Sequence, residues 1–268
     1  MSRIRDTLVE LKRSGRGGFI PFITAGDPDL VTTELLLVEL AAAGADIIEL
    51  GIPFSDPVAD GAVIQRASER ALQKGVTLSD ALRCISNAKQ HIDTPIVLFS
   101  YLNPLLKFGQ NRLAEEAKQA GVDAVLITDL IPEEATTWNM AFRGQGLDLI
   151  FLVAPTTADE RLKCIAQEAS GFIYAVSRAG VTGVRNEMSR DAESLVRRMR
   201  EVSDLPIAVG FGISTSEQVR QVWRFADAAV IGSAIVGNIE KLAGSPDLVA
   251  RVGAFARSLL DPSHKRHE

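Results

Sequence analysis

Two periodicities alternate along the chain. Short runs that are apolar at nearly every position recur at 19–24 (FIPFIT), 46–50 (DIIEL), 95–100 (PIVLFS), 124–128 (AVLIT), 148–153 (DLIFLV), 172–176 (FIYAV), 206–210 (PIAVG) and 228–232 (AAVIG). Continuous apolar runs of this length suit parallel strands covered on both faces. Helical patterns lie between them. Residues 29–43 carry Leu35, Leu36, Val38 and Leu40 and end at Gly44; 111–120 end at Gly121, 132–143 at Gly144, and 158–169 before Gly171. Ser214-Thr215-Ser216-Glu217 reads as a capping box opening a helix over 214–225. The last helix, 246–260, is expected to take Ser245 as its N-cap and Pro246 at its first position. Before the first strand, Ile4, Leu8 and Leu11 mark one amphipathic helix.

Eight strands, each followed by a helix, predict an α/β fold of the (β/α)8 TIM-barrel class, formed as one domain over 1–268. Two additions are expected: the N-terminal helix, and an extra helix between strands two and three, where 62–73 and 78–90 are both helical in pattern. A doubly wound sheet is the competing architecture. It would place a GxGxxG turn after the first strand, whereas this strand runs into Thr24-Ala25-Gly26-Asp27-Pro28.

Composition narrows the function. The 268 residues are 46% apolar with net charge −5 and pI about 5.4, and they carry no basic stripe of the kind nucleic-acid binding needs. No apolar run approaches the roughly 18 residues that span a bilayer. The N-terminus lacks the apolar core of a signal peptide. Cys84 and Cys164 read as reduced core thiols, so the cytoplasm is the expected compartment.

In a (β/α)8 barrel the chemistry lies at the C-terminal ends of the strands. Strand two places Glu49 there, and the loop after it, IPFSDPVADG, supplies Asp60. Alternation turns Ile48 and Leu50 toward the helices, leaving Ile47, Glu49 and Gly51 facing the barrel axis. A carboxylate among Phe22, Leu126 and Tyr174 should have its pKa raised by desolvation, as an acid or base near neutral pH requires. Asp60 and Asp129, taken alone, are more often turn formers or caps. Gly183, Gly212, Gly232 and Ser233 follow strands six to eight; a short helix over 233–237 would offer its backbone N–H groups to a phosphate. The histidines, at 91, 264 and 267, avoid every strand's C-terminal end, which argues against a histidine-based metal site or a Ser-His-Asp triad. The residues alone point to a metal-free barrel enzyme that acts on a phosphorylated small molecule by carboxylate acid/base catalysis.

Long motifs then add a resemblance. GFIPFITAGDP (18–28), ELGIPFSDPVADGAVIQ (49–65), SYLNP (100–104), GVDAVLITDL (121–130), SRAGVTG (177–183), GFGIS (210–214) and GSAIV (232–236) fall in order at the expected strand ends, and the chain resembles the tryptophan synthase alpha subunits over essentially its whole length. The resemblance implies a lyase that cleaves indole-3-glycerol phosphate by a retro-aldol reaction to indole and glyceraldehyde 3-phosphate. It implies catalysis by Glu49 and Asp60 and an indole slot of Phe22, Ile64, Leu126, Tyr174 and Phe211. Gly183, Gly212, Gly232 and Ser233 would hold the phosphate, and the loop around Thr182 would close with its hydroxyl on Asp60. It further implies a pyridoxal-phosphate beta subunit as partner in an alpha-beta-beta-alpha hetero-tetramer, faced by Pro53, Asp56 and Asn103, with no cofactor in this chain. A free-standing lyase that releases indole, a non-enzymatic activator and a phosphosugar isomerase are the alternatives. The isomerase would want an acid/base pair on strands one and five, where Thr24 and Ala154-Pro155 stand.

Overall fold

The computed structural model describes residues 2–176, 185–210 and 212–260. Helix α1 (Arg3–Arg13) leads into β1 (Gly18–Thr24), α2 (Leu30–Ala42), β2 (Ile48–Gly51), α3 (Ala62–Gln73), α4 (Leu78–Ala88) and β3 (Ile96–Ser100). There follow α5 (Leu102–Phe108), α6 (Gln110–Ala120), β4 (Ala124–Ile127), a 3₁₀ turn (Pro132–Glu134), α7 (Ala135–Gly144), β5 (Asp148–Val153), α8 (Asp159–Glu168) and β6 (Ile173–Val176). The chain continues through α9 (Arg185–Arg200), β7 (Ile207–Gly210), α10 (Ser216–Trp223), β8 (Ala228–Ile231), α11 (Ser233–Leu242) and α12 (Leu248–Leu259). The strands close in sequence order into an all-parallel barrel, with β1 pairing both β2 and β8. All eight strands form where the apolar runs predict, as do α1 and the extra helix between β2 and β3.

Alternation divides the core in two. Ile23, Ile48, Leu50, Leu98 and Val125 point outward into the layer beneath the helices. Ile20, Ile47, Val97, Leu126, Ile150 and Ala208 fill the barrel interior. Helix α1 closes the lower end of that interior with Ile4, Leu8 and Leu11, all buried.

One device repeats four times at the lower rim. Asp46 gives its N–H to the Phe19 carbonyl at 3.0 Å and accepts the Phe19 N–H on Oδ2 at 2.9 Å. Asp123 does the same with Ile96 and Asp227 with Ile207, while Ser170 does it with Leu149 through its hydroxyl. A residue one to three positions before each even-numbered strand thus clamps the start of the odd-numbered strand before it, satisfying a backbone donor that the ladder leaves open. Cations neutralise the three aspartates: Arg16 on Asp46, Arg3 and Lys89 on Asp123, and Lys12 and Arg200 on Asp227.

Several expectations shift. The capping box lies one residue further along, between Thr215 and Gln218. Helix α12 starts after Asp247, not at Pro246; the Ser245 hydroxyl turns to the Asp247 carboxylate. The short helix over 233–237 runs on to Leu242, because Ile235, Val236 and Ile239 bury one face. Cys84 is buried but Cys164 is exposed, since α8 turns Leu162 and Ile165 inward and Cys164 away. Helices α5 and α9 are additional to those the pattern marks.

Candidate active site

The site begins with Glu49, whose side chain is 0% exposed. Its Cα stands level with Phe22 of β1 on one side and Val97 of β3 on the other. Its strand neighbours face outward, so the carboxylate lies inside the barrel mouth, as alternation requires. Among the described residues neither carboxylate oxygen has a hydrogen-bond partner. Burial alone drives its pKa up to about 8. Glu49 is therefore largely protonated at neutral pH, an acid held in the barrel interior.

Asp60 reaches the same region from the β2–α3 loop, directly before Gly61, the N-cap of α3. Burial raises its pKa to about 6, and a hydrogen bond from the Tyr101 hydroxyl pulls the other way. Two carboxylates in one mouth thus differ in protonation at pH 7, one holding its proton and the other mostly ionised. The Tyr101 hydroxyl also accepts the Ala59 N–H at 3.0 Å, and its ring packs on Phe54 with centroids 5.2 Å apart. Tyr101 is 3% exposed and ties the β2–α3 loop to the end of β3. Asp129 accepts the Leu102 N–H at 2.6 Å and caps α5, the ordinary role that an isolated loop aspartate suggests.

Two apolar clusters wall the mouth. Phe22 packs with Ala67, Val236, Val63 and Ile64. Leu126 lies with Leu152 and Tyr174 at the top of the interior. Phe99 belongs to both and meets Phe22 edge to face, with centroids 5.3 Å apart. Gly51 leaves room for Phe22: a Cβ there would run into the ring. The Tyr174 hydroxyl is held well above its usual pKa by burial and by the nearby charges of Glu49 and Asp60, so it stays a neutral wall.

Beside the Phe22 cluster stands the N-terminus of α11, whose Val236 belongs to it. Gly232, its N-cap, has no side chain to cover the helix end. The Ile235 and Val236 N–H groups turn back to the Gly232 carbonyl, so the N–H groups of Ser233 and Ala234 have no partner among the described residues. Gly232 lies against the Phe22 cluster: a Cβ there would sit 3.7 Å from Ile64 Cδ1 and 3.8 Å from Phe22. Gly212 takes φ +55° with open space around it. Helix N-termini with free N–H groups attract phosphate.

The structure therefore brings together Glu49, Asp60, Phe22, Ile64, Leu126, Tyr174, Gly232 and Ser233. Thr182, Gly183 and Phe211 lie outside the described residues. Of the expected interface residues, Asp56 and Asn103 are exposed, whereas Pro53 is buried beneath its loop. Around them the loops after β2, β3 and β4 expose Val58 (88%), Leu106 (58%) and Ile131 (41%). A groove of about 260 Å³ runs beside Phe54, Asp56, Val58 and Leu72. Tyr101, whose hydroxyl meets Asp60, stands outside the set of site residues expected from the sequence. Its position directly after strand three was the available signal. Among the described residues no group of histidine, cysteine, aspartate and glutamate could hold a metal ion.

Comparison with known proteins agrees along the full chain. The family model described as tryptophan synthase alpha chain matches residues 8–262. The tryptophan synthase alpha chain of Citrifermentans bemidjiense is 49% identical over 259 residues, covering 97% of each chain. That of Polynucleobacter necessarius is 48% identical over 262 residues, covering 97% of this chain and 98% of its own. The crystal structure of tryptophan synthase subunit alpha from Legionella pneumophila superposes with a TM-score of 0.88 at 38% identity, covering 97% of each chain.

Proposed function

The chain belongs to the tryptophan synthase alpha chain family, and from that premise we propose how its own residues carry the family's reaction. It is a lyase that cleaves indole-3-glycerol phosphate, the alpha reaction of tryptophan biosynthesis. A free-standing lyase is the less favoured reading, because the full-length matches are alpha chains. The residue roles that follow treat 1–268 as one barrel domain.

Cleaving the bond at indole C3 requires C3 to become tetrahedral first. Glu49, protonated at neutral pH, donates that proton. The ring nitrogen then carries positive charge, and ionised Asp60 stabilises it through the N–H. The Glu49 carboxylate left behind sits in an apolar pocket and is a strong base. It takes the proton from the adjacent side-chain hydroxyl, the oxygen lone pair closes to the aldehyde, and the C–C bonding pair returns to the ring. Indole and glyceraldehyde 3-phosphate result, and Glu49 is protonated again. The carrying observation is a fully buried carboxyl without hydrogen-bond partners among the described residues, near a second carboxyl that ionises more readily.

Phe22, Ile64, Leu126, Tyr174 and Phe211 form the indole slot. Gly183, Gly212, Gly232 and the Ser233 and Ala234 N–H groups seat the phosphate. Thr182 closes onto Asp60. This chain's steps draw on no cofactor of its own; pyridoxal phosphate belongs to a beta subunit. The docking face for that subunit is the apolar rim of Val58, Leu106 and Ile131 with Asp56 and Asn103, in an alpha-beta-beta-alpha assembly. No helix among the described residues is long and apolar enough to cross a membrane.

The test is Glu49→Gln assayed by indole release and by substrate binding. We expect binding to persist and turnover to fall by about 10³-fold or more, the upper part of the range for general acid–base groups. Near-normal turnover would overturn the assignment.

A further inference from the structure

Beside the site lies a charge network that the reaction does not consume. Asp27, in the turn after β1, is 1% exposed. Arg70 of α3 grips it fork to fork, Nε to Oδ1 at 2.8 Å and Nη2 to Oδ2 at 2.9 Å. Its remaining nitrogen, Nη1, donates to Glu240 Oε1 of α11 at 2.7 Å. Arg66, one turn earlier on α3, makes its own fork to the two Glu240 oxygens at 2.7 Å each. Two cations and two anions are matched, and paired forks of this kind set angle as well as distance.

The elements joined are those that carry the two ends of the site. Helix α3 begins two residues after Asp60. Glu240 lies two turns along α11 from Ser233, on the same helical face. Between the helices the contact is apolar, made by Ala67, Val236 and Phe22. Apolar contact is non-directional and by itself leaves sliding cheap. The arginine forks supply the missing register. We infer that Arg70 is a positioning residue. By fixing α3 against α11 it sets the separation between Asp60 at the indole end of the substrate and the phosphate seat at the other.

This inference rests on the site assignments proposed above. It makes a particular demand: a substrate that spans both ends depends on their separation, whereas a fragment that fills one end does not. The experiment compares Arg70→Lys and Glu240→Gln with the parent full chain. It measures kcat/KM on indole-3-glycerol phosphate and the dissociation constants of glycerol 3-phosphate and of indole. We expect kcat/KM to fall at least about tenfold in Arg70→Lys while each fragment binds within about twofold of the parent. Glu240→Gln should move the same way, because the Arg66 and Arg70 links from α3 to α11 both end on Glu240. Unchanged kcat/KM, or a proportional loss of all three quantities, overturns the inference in favour of a purely structural role. A control separates the two levels: if glycerol 3-phosphate binding by the parent is indifferent to Ser233→Asp, the phosphate seat itself is wrong, and the inference falls with it.

Discussion

Glu49 carries a cost in stability that its chemistry explains. In the unfolded chain its carboxyl has the ordinary value of 4.5; in the fold it rises to about 8. The sign follows. Below about pH 4.5 both states are protonated and there is no penalty. Between about 4.5 and 8 folding must hold a proton that the unfolded chain releases, so stability falls as pH rises. Above about 8 the cost is constant. At about 1.4 kcal/mol per pKa unit, the penalty at pH 7 is on the order of 3 kcal/mol. Glu49→Gln should therefore raise Tm by about 5 °C at pH 7, and the gap should close toward pH 5; calorimetry across that range checks it. Tyr101→Phe acts on the second carboxylate. Its hydroxyl lowers the Asp60 pKa, so removing it moves the pKa up. The acid limb of the kcat/KM profile should shift to higher pH, with more activity lost at pH 6 than at pH 8.

At the scale of elements, two helix and strand termini do separate work. The α11 N-terminus presents the Ser233 and Ala234 N–H groups, which have no partner among the described residues. Ser233→Asp places a carboxylate there, and we expect KM for the phosphorylated substrate to rise at least about tenfold with the fold intact; steady-state kinetics beside far-UV circular dichroism checks both halves. The aspartate clamps at the lower rim are purely structural. Burial opposes ionisation of Asp227, but the Ile207 N–H, Arg200 and Lys12 outweigh it and hold the carboxyl below its usual range. Asp227→Ala strands a buried backbone donor and should cost about 1–3 kcal/mol in urea unfolding, leaving kcat unchanged because the site is at the opposite end of the barrel. These clamps were written in the sequence as Gly44-Ala45-Asp46, Gly121-Val122-Asp123 and Phe225-Ala226-Asp227, each just before a strand. The sequence alone does not reveal them as clamps, because each one's partner lies on a different strand.

For the whole molecule, the exposed rim of Val58, Leu106 and Ile131 follows directly from where the loops after β2, β3 and β4 emerge. The loop from Pro53 to Asp60 joins that rim to the catalytic carboxylates, so a docked beta subunit would press on the site through it. We expect added beta subunit to raise turnover strongly, and Asp56→Ala to raise the partner concentration needed for half-maximal activation; titration of one chain with the other measures both. The sequence by itself determined the barrel, because each strand announces itself through a local apolar run and each helix through its own period and terminal glycine. It also placed Glu49 on the inner face, since alternation depends only on neighbouring residues, and its motifs identified the reaction. Only the tertiary structure decided what those residues meet. The Tyr101 hydroxyl on Asp60, Phe99 bridging two clusters and the forks joining Asp27, Arg70 and Glu240 all link residues far apart in the chain. Ring closure sets those distances, and no local pattern records them.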